Sequence, residues 1–318
     1  MGTPAFAAES LESMLAAGYR IVAAVTRPDA ARGRGLRPQP SAVKLAAGAR
    51  GVPVMEPDSL KDPRFLELVA GLGADIVVVV AFGRLLPPQM LGMAPRGAVN
   101  LHASLLPKYR GAAPVAWAIA AGERETGVTT MRMVERLDAG DVLLQRSTPI
   151  GEEETAGQLE TRLAAIGAEL LIETLVQMRA GTVTPVRQDE SAATYAPRVS
   201  KQDGLIDWGM GAAEVARRVR AFDPWPVAQT ALPGPARRKL LIWRGRPAGE
   251  TPAGAAPGTI LSKTSGKRPG EAGGLLVACG GGTGLLLMEV QPEGRRRMPA
   301  LDAVSGRYMS VGDRLGCP

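Results

Sequence analysis

Seven consecutive apolar residues, Ile76 to Phe82, form a purely apolar run as long as any in the chain, and they restrict its fold more than any other feature. A helix that crosses a bilayer needs about 20 such residues, so no segment is long enough to span a membrane. A run this short and this rich in β-branched side chains reads as a strand over Ile76 to Ala81, buried on both faces. Such a strand needs a covering layer on each side, and the neighbouring sequence supplies helices. Phe6 to Ala17 carries Leu11, Met14 and Leu15 at helical spacing. Ser41 is placed to cap a helix running to about Ala49, and Ser59 to Gly71 sets Phe65, Leu66, Leu68 and Val69 on or near one face. Between them lie the strand candidates Ile21 to Thr26, Val52 to Met55 and Ala98 to His102. Arg27 to Pro40, rich in Pro, Gly and Arg, reads as a loop. This alternation predicts an α/β domain with a parallel sheet and crossover helices.

After Gly111 the spacing predicts a helix over Ala113 to Ala121, strands over Gly127 to Val134 and Val142 to Thr148, and a long helix from about Thr155 to Met178 that stops at Gly181. Residues 1–181 therefore read as one domain. Residues 182–204, which have no clear period, read as a linker. Residues 205–318 begin with a short basic helix, Glu214 to Arg220, and continue as short strands and many glycines. Leu275 to Ala278 and Leu285 to Val290 flank a glycine-rich turn in a hairpin-like arrangement. A small all-β barrel or sandwich is expected there.

Charge separates the two halves. Of 38 Lys and Arg residues, 18 lie in 196–318 against 10 of the 31 acidic residues, so the C-terminal third holds the whole positive excess. That asymmetry suits a polyanionic partner such as nucleic acid. Arg217, Arg218 and Arg220, then Arg237, Arg238 and Lys239, then Arg295, Arg296 and Arg297 are clusters suited to phosphate backbones. Two cysteines, Cys279 and Cys317, cannot build a disulfide scaffold, and one histidine in the chain argues against a His/Cys metal site. No basic-then-apolar leader opens the sequence, so a cytoplasmic protein is expected.

That single histidine, His102, lies two residues after Asn100. On a strand, this spacing puts both side chains on one face, and Ser104-Leu105-Leu106-Pro107 then turns the chain away. Ligand sites of open α/β sheets lie beyond the carboxyl ends of strands. His102 is the one conventional group for proton transfer near neutral pH. Asn100 offers an amide donor for an oxygen that gains negative charge, a contact worth roughly 3 kcal/mol in a transition state. A carboxylate near His102 would orient its ring and favour the imidazolium. Asp138, in the turn Leu137-Asp138-Ala139-Gly140-Asp141, is one candidate and Asp141 a rival.

Taken together, Asn100-Leu101-His102, Ser104-Leu105-Leu106-Pro107, Arg110-Gly111-Ala112-Ala113-Pro114, Glu125-Thr126-Gly127-Val128-Thr129 and the Leu137 to Asp141 turn closely resemble the methionyl-tRNA formyltransferase family. Met1-Gly2-Thr3-Pro4-Ala5-Phe6-Ala7 resembles that family's opening loop, and Phe222-Asp223-Pro224-Trp225-Pro226 the start of its C-terminal domain. The match runs in order along nearly the whole chain. It implies a Rossmann-like formyltransferase domain followed by an OB-like β-barrel. It implies transfer of a formyl group from 10-formyltetrahydrofolate to the α-amino group of methionyl initiator tRNA, in support of translation initiation, by a monomer that needs no metal. Asn100, His102 and Asp138 match the family's catalytic trio. Ser104, Leu105, Leu106 and Pro107 match its folate-binding turn, and Ala81, Phe82 and Gly83 the lining of its pterin pocket. Arg32, Arg34 and Arg37 match an inserted loop that enters the tRNA acceptor stem, with Arg237, Arg238 and Lys239 as further tRNA contacts.

The chain departs from the family's pattern at one point. The family places a short apolar strand before Gly-Thr-Pro, whereas here Met1 precedes it directly, so a start assigned too late or a truncation is expected. The rival enzyme reading is a formyltransferase for another amine, on a sugar nucleotide or a glycinamide ribotide. It would share the trio without needing the arginine-rich loop. A hydrolase of formyl-folate and a non-catalytic RNA-binding protein are weaker rivals. A dehydrogenase is disfavoured, because no Gly-x-Gly-x-x-Gly follows a strand.

Overall fold

The computed structural model describes residues 1–32, 37–234, 236–265 and 273–316. Helix α1 spans Ala5–Ala16 and is followed by strand β1, Ala24–Val25. Strands β2 (Ala30–Arg32) and β3 (Arg37–Gln39) pair antiparallel, so the expected loop from Arg27 to Pro40 contains a short ribbon. Helix α2 (Ala42–Ala49) starts at Ser41, whose hydroxyl accepts the Lys44 N–H at 3.0 Å. Strand β4 is Val54–Met55. Helix α3 (Pro63–Gly71) begins later than Ser59 because Asp62 is its cap, accepting the Arg64 N–H at 3.0 Å. A residue before proline avoids helical backbone, which fixes that boundary.

Strand β5 (Val77–Val80), the short helix α4 (Pro88–Leu91) and strand β6 (Ala98–His102) follow. All five residues of β6 are buried. Next come β7 (Arg110–Gly111), α5 (Pro114–Ala121), β8 (Glu125–Arg132), β9 (Val142–Pro149), α6 (Ala156–Ala180) and β10 (Tyr195–Ala196). Thr155 and Gln158 cap the start of α6 reciprocally, each side chain accepting the other's backbone N–H. One sheet runs β5-β6-β8-β9. Its β5/β6 pair is parallel, as the alternation predicts, while β8 and β9 add antiparallel. The connection between β8 and β9 is too short for a crossover, so an antiparallel hairpin is the geometry open to it.

Strands β1 and β4 pair in parallel as a separate two-stranded sheet. Backbone bonds from Gly2 N–H to the Val25 carbonyl and from Val80 N–H to the Met1 carbonyl, both 2.9 Å, lie between β1 and β5. Beside them is a cavity of about 550 Å³ lined in part by Ile21, Val22, Ala23, Val77 and Val78. Of the expected strand Ile21 to Thr26, only Ala24 and Val25 form a ladder. The core of this part of the chain includes one apolar cluster around Phe65, Val79, Phe82 and Met90 and another around Met14, Val99, Leu171 and Leu175.

The chain divides into two units, Met1–Pro114 with Glu125–Pro149 and Leu159–Pro197, and Val115–Arg124 with Ile150–Gln158 and Arg198–Pro318. The second unit contains α7 (Ala212–Ala221), β11 (Ala228–Ala231), β12 (Lys239–Glu250), β13 (Ile260–Thr264), β14 (Gly274–Ala278), β15 (Thr283–Pro292), β16 (Met298–Pro299) and α8 (Ala300–Ser305). These strands form an antiparallel sheet in the order β11-β12-β15-β14-β13, with β16 beside β15. Register shifts along β12/β15 bend it, as a barrel-like domain requires. Among the described residues no ladder joins β11 to β13. The predicted hairpin is present, with Ala278 opposite Gly284. Valines of α7, Val215 and Val219, pack with Leu240, Ile260, Leu285 and Leu287 in this unit's core.

Candidate active site

Strand β6 delivers Asn100 and His102 to one place because both belong to its alternate-residue set. Each is almost buried, at 8% and 7% exposure. The register continues from Val80 opposite Leu101, so the chain leaves β5 at Ala81 beside the end of β6. Ala81 and Gly83 have left-handed backbone there, φ +44° and +70°. The Phe82 side chain, by contrast, points into the apolar core with Leu86 and Met90.

The His102 ring is fixed from two sides. Its Nε2 lies 2.9 Å from the Tyr109 carbonyl. A carbonyl only accepts, so Nε2 carries the hydrogen of that bond, and Nδ1 is the nitrogen left to take up a proton. Asp138 Oδ2 stands 3.9 Å from Nδ1, beyond a direct hydrogen bond but close enough for strong attraction to a charged ring. Of the two aspartates left open by the sequence, Asp138 is the one whose carboxylate pairs with the ring. The same Oδ2 accepts the Gly111 N–H at 2.8 Å. The Asn100 side-chain amide hydrogen-bonds to none of the described residues. An uncommitted donor and a proton-accepting nitrogen on one strand end suit attack on an acyl carbon, where an oxygen gains charge and an amine loses a proton.

The turn from Ser104 to Pro107 is held by groups that sequence reasoning did not single out. Thr129, fully buried on β8, donates its hydroxyl to the Ser104 carbonyl at 2.6 Å and accepts the Leu106 N–H at 3.2 Å. Gln145 Nε2, on β9, donates to the Leu106 carbonyl at 2.8 Å and to Thr129 Oγ1 at 2.9 Å. Ser104 donates to the Lys108 carbonyl at 2.6 Å. The turn rests against β8 where a side chain is missing: a Cβ on Gly127 would stand 2.6 Å from Leu105 Cδ2.

The burial of Arg110 and its partners are a second feature the sequence does not announce. Arg110 has no exposed surface, yet its guanidinium bonds Glu190 twice, at 3.0 and 3.1 Å, and Gln188 Oε1 at 2.8 and 3.1 Å. Hydrogen bonds from Arg110 and then Arg136 hold the Glu190 carboxyl down at about 2. Residues 110–111 also pair with 195–196, and a Cβ on Gly111, at φ +122°, would meet the Ala196 carbonyl oxygen at 2.5 Å.

The residues predicted to meet tRNA divide differently. Arg34 lies outside the described residues. Arg32 ends β2 and Arg37 begins β3, on the two arms of the ribbon. Arg237, Arg238 and Lys239 are exposed in the second unit, at the entry to β12.

The chain resembles known proteins along nearly its whole length. The formyl transferase family profile matches residues 1–175, and that of the formyl transferase C-terminal domain matches residues 198–308. A methionyl-tRNA formyltransferase from Solibacter usitatus is 47% identical over 316 residues, covering 99% of this chain and 97% of the relative. One from Geobacter sulfurreducens is 43% identical, covering 99% and 95%. Among solved structures, an N-formyltransferase from Helicobacter canadensis, in complex with folinic acid and dTDP-3-aminofucose, aligns with a TM-score of 0.63 at 18% identity, over 90% of this chain and 96% of that one. HypX from Aquifex aeolicus, in complex with tetrahydrofolic acid, aligns with a TM-score of 0.57 at 20% identity, over 83% and 44%. At such identities the structural likeness concerns the fold.

Proposed function

This chain belongs to the methionyl-tRNA formyltransferases, and we propose on that premise that Asn100, His102 and Asp138 carry the transfer of formyl from 10-formyltetrahydrofolate to the α-amino group of methionyl initiator tRNA. The observation that carries the reading is identity of 47% along 99% of the chain. The N-formyltransferase in complex with dTDP-3-aminofucose aligns at 18% identity, a likeness that bears on the fold and leaves the sugar-nucleotide acceptor without support of that strength.

The donor set fits a formyl group: one uncommitted amide, one imidazole nitrogen and a carboxylate, with no thiol or hydroxyl nucleophile needed. Bound 10-formyltetrahydrofolate supplies the carbon that the amine attacks. Asn100 donates to the oxygen on which charge develops, and a preset donor of this kind contributes roughly 3 kcal/mol. His102 Nδ1 takes the proton the amine gives up and passes it to the folate N10 as the bond from N10 to the formyl carbon breaks, so that tetrahydrofolate leaves, and Asp138 stabilises the ring while it is charged. With Nε2 committed to Tyr109, proton transfer through Nδ1 is the role left to the ring. The turn Ser104 to Pro107 and the backbone at Ala81 to Gly83 hold the folate. Holding both reactants at this strand end supplies much of the rate.

Arg32, Arg34 and Arg37 meet the acceptor stem, and Arg237, Arg238 and Lys239 add phosphate contacts. The enzyme acts as a monomer in the cytoplasm, where its charged tRNA is made; no helix among the described residues is long and apolar enough to cross a membrane. Incubation with formyl-folate and charged initiator tRNA should yield formyl-methionine, while sugar-nucleotide and glycinamide acceptors in parallel should not react. Formylation of one of those acceptors and not of the tRNA would reverse the assignment. Arg34→Ala should raise KM for charged tRNA more than KM for the folate. Equal changes in both would count against Arg34 as a tRNA contact.

A further inference from the structure

Asp138 is held in a conformation that needs support. Its backbone lies in the left-handed region, φ +49°, which a non-glycine residue keeps only where its surroundings impose it. The support comes from residues 187–197, a stretch with no local pattern. Gln188 Nε2 donates to the Asp138 carbonyl at 2.9 Å and to the Gly140 carbonyl at 2.6 Å. Both hydrogen bonds grip the turn on either side of Ala139.

The orientation of that amide is itself imposed. Gln188 Oε1 accepts from Arg110 Nε at 3.1 Å and Nη2 at 2.8 Å. The oxygen must therefore face the guanidinium and the NH2 the two carbonyls. Arg110, buried without exposed surface, is neutralised by Glu190, which also pairs with Arg136 Nη2 at 2.7 Å. Arg136 belongs to the same loop as Asp138. The residue after Arg110, Gly111, supplies the N–H that holds the Asp138 carboxylate. Arg110 and Gln188 thus set both the backbone and the side chain of Asp138.

We infer that Gln188, oriented by Arg110 and Glu190, is a positioning residue that fixes the Asp138 carboxylate at its distance from His102 Nδ1. The inference rests on the reading of Asp138 as part of the catalytic trio. It makes the segment after α6 a component of the site.

Gln188→Glu tests it, because the change keeps an oxygen for Arg110 and replaces the donor by an oxygen that repels both carbonyls. Its kcat should fall about 10- to 100-fold, the cost of displacing a reacting group by an ångström or less, with both KM values unchanged. In an Asp138→Ala background the same substitution should change kcat by less than about twofold, since a residue that acts through another has nothing further to lose. Wild-type kcat for Gln188→Glu, or an equal fold-loss in both backgrounds, would overturn the inference. Wild-type kcat for Asp138→Ala alone would instead overturn the role of Asp138 and the inference with it. Should Gln188→Glu not accumulate folded, Gln188→Asn carries the same cycle, because the shorter amide withdraws its N–H groups from the two carbonyls.

Discussion

His102→Ala is expected to lower kcat by about 10³-fold while leaving both KM values nearly unchanged. The ring contributes little binding surface, and its proposed role is to accept the proton that the attacking amine must lose. A group used only as the reaction proceeds lowers kcat and kcat/KM together when removed. The substitution also leaves the Tyr109 carbonyl without its Nε2 partner, at a cost of about 1–3 kcal/mol. Water entering the small space made by the deletion offsets part of that loss. Thermal unfolding should therefore show a folded protein with a modestly lowered midpoint. Steady-state kinetics with saturating folate and charged tRNA reads the rest, and a near-normal kcat would remove His102 from the chemistry.

How legible this site was depends on how far apart its parts lie in sequence. Strand β6 is recovered residue for residue from Ala98 to His102, because alternation and a following proline-terminated turn are local signals. The cap at Ser41 and the stop of α6 before Gly181 are local in the same sense. Boundaries slipped where a second local rule competed: Asp62 before Pro63 delays α3 past Ser59. Ile21 to Ala23 has strand composition, yet a ladder needs a partner, and β4 supplies one only for Ala24 and Val25. The ribbon β2/β3 was hidden because Pro, Gly and Arg hide a ladder made by backbone atoms.

The hidden part of the site is its scaffold. Arg110 meets Gln188 and Glu190 across 78 and 80 residues, and neither partner sits in a periodic segment. Thr129 stands in one of the runs that carry the family resemblance, but nothing in that run says that its hydroxyl serves the Ser104 to Pro107 turn. Motif resemblance supplied the reacting groups and marked Arg110 and Thr129, whereas the contacts by which those two act appear only when the chain is folded.

Thr129 gives the second large effect, and it separates support from chemistry. Thr129→Val nearly preserves shape but removes one hydroxyl that makes three hydrogen bonds: to the Ser104 carbonyl, from the Leu106 N–H and from Gln145 Nε2. Gln145 keeps its bond to the Leu106 carbonyl, so the buried groups that lose a partner are chiefly Leu106 N–H and the Ser104 carbonyl. At about 1–3 kcal/mol for each orphaned group, with some relaxation, the loss comes to about 3 kcal/mol. In a unit of this size that lowers the unfolding midpoint by about 10 °C. The turn it frees is the one assigned to the folate, so KM for formyl-folate should rise several-fold more than KM for tRNA, with kcat at saturation affected less. Calorimetry and two-substrate kinetics on one preparation distinguish the outcomes. A lowered midpoint with an unchanged folate KM would leave Thr129 as a stabilising hub and move the folate away from the Ser104 to Pro107 turn.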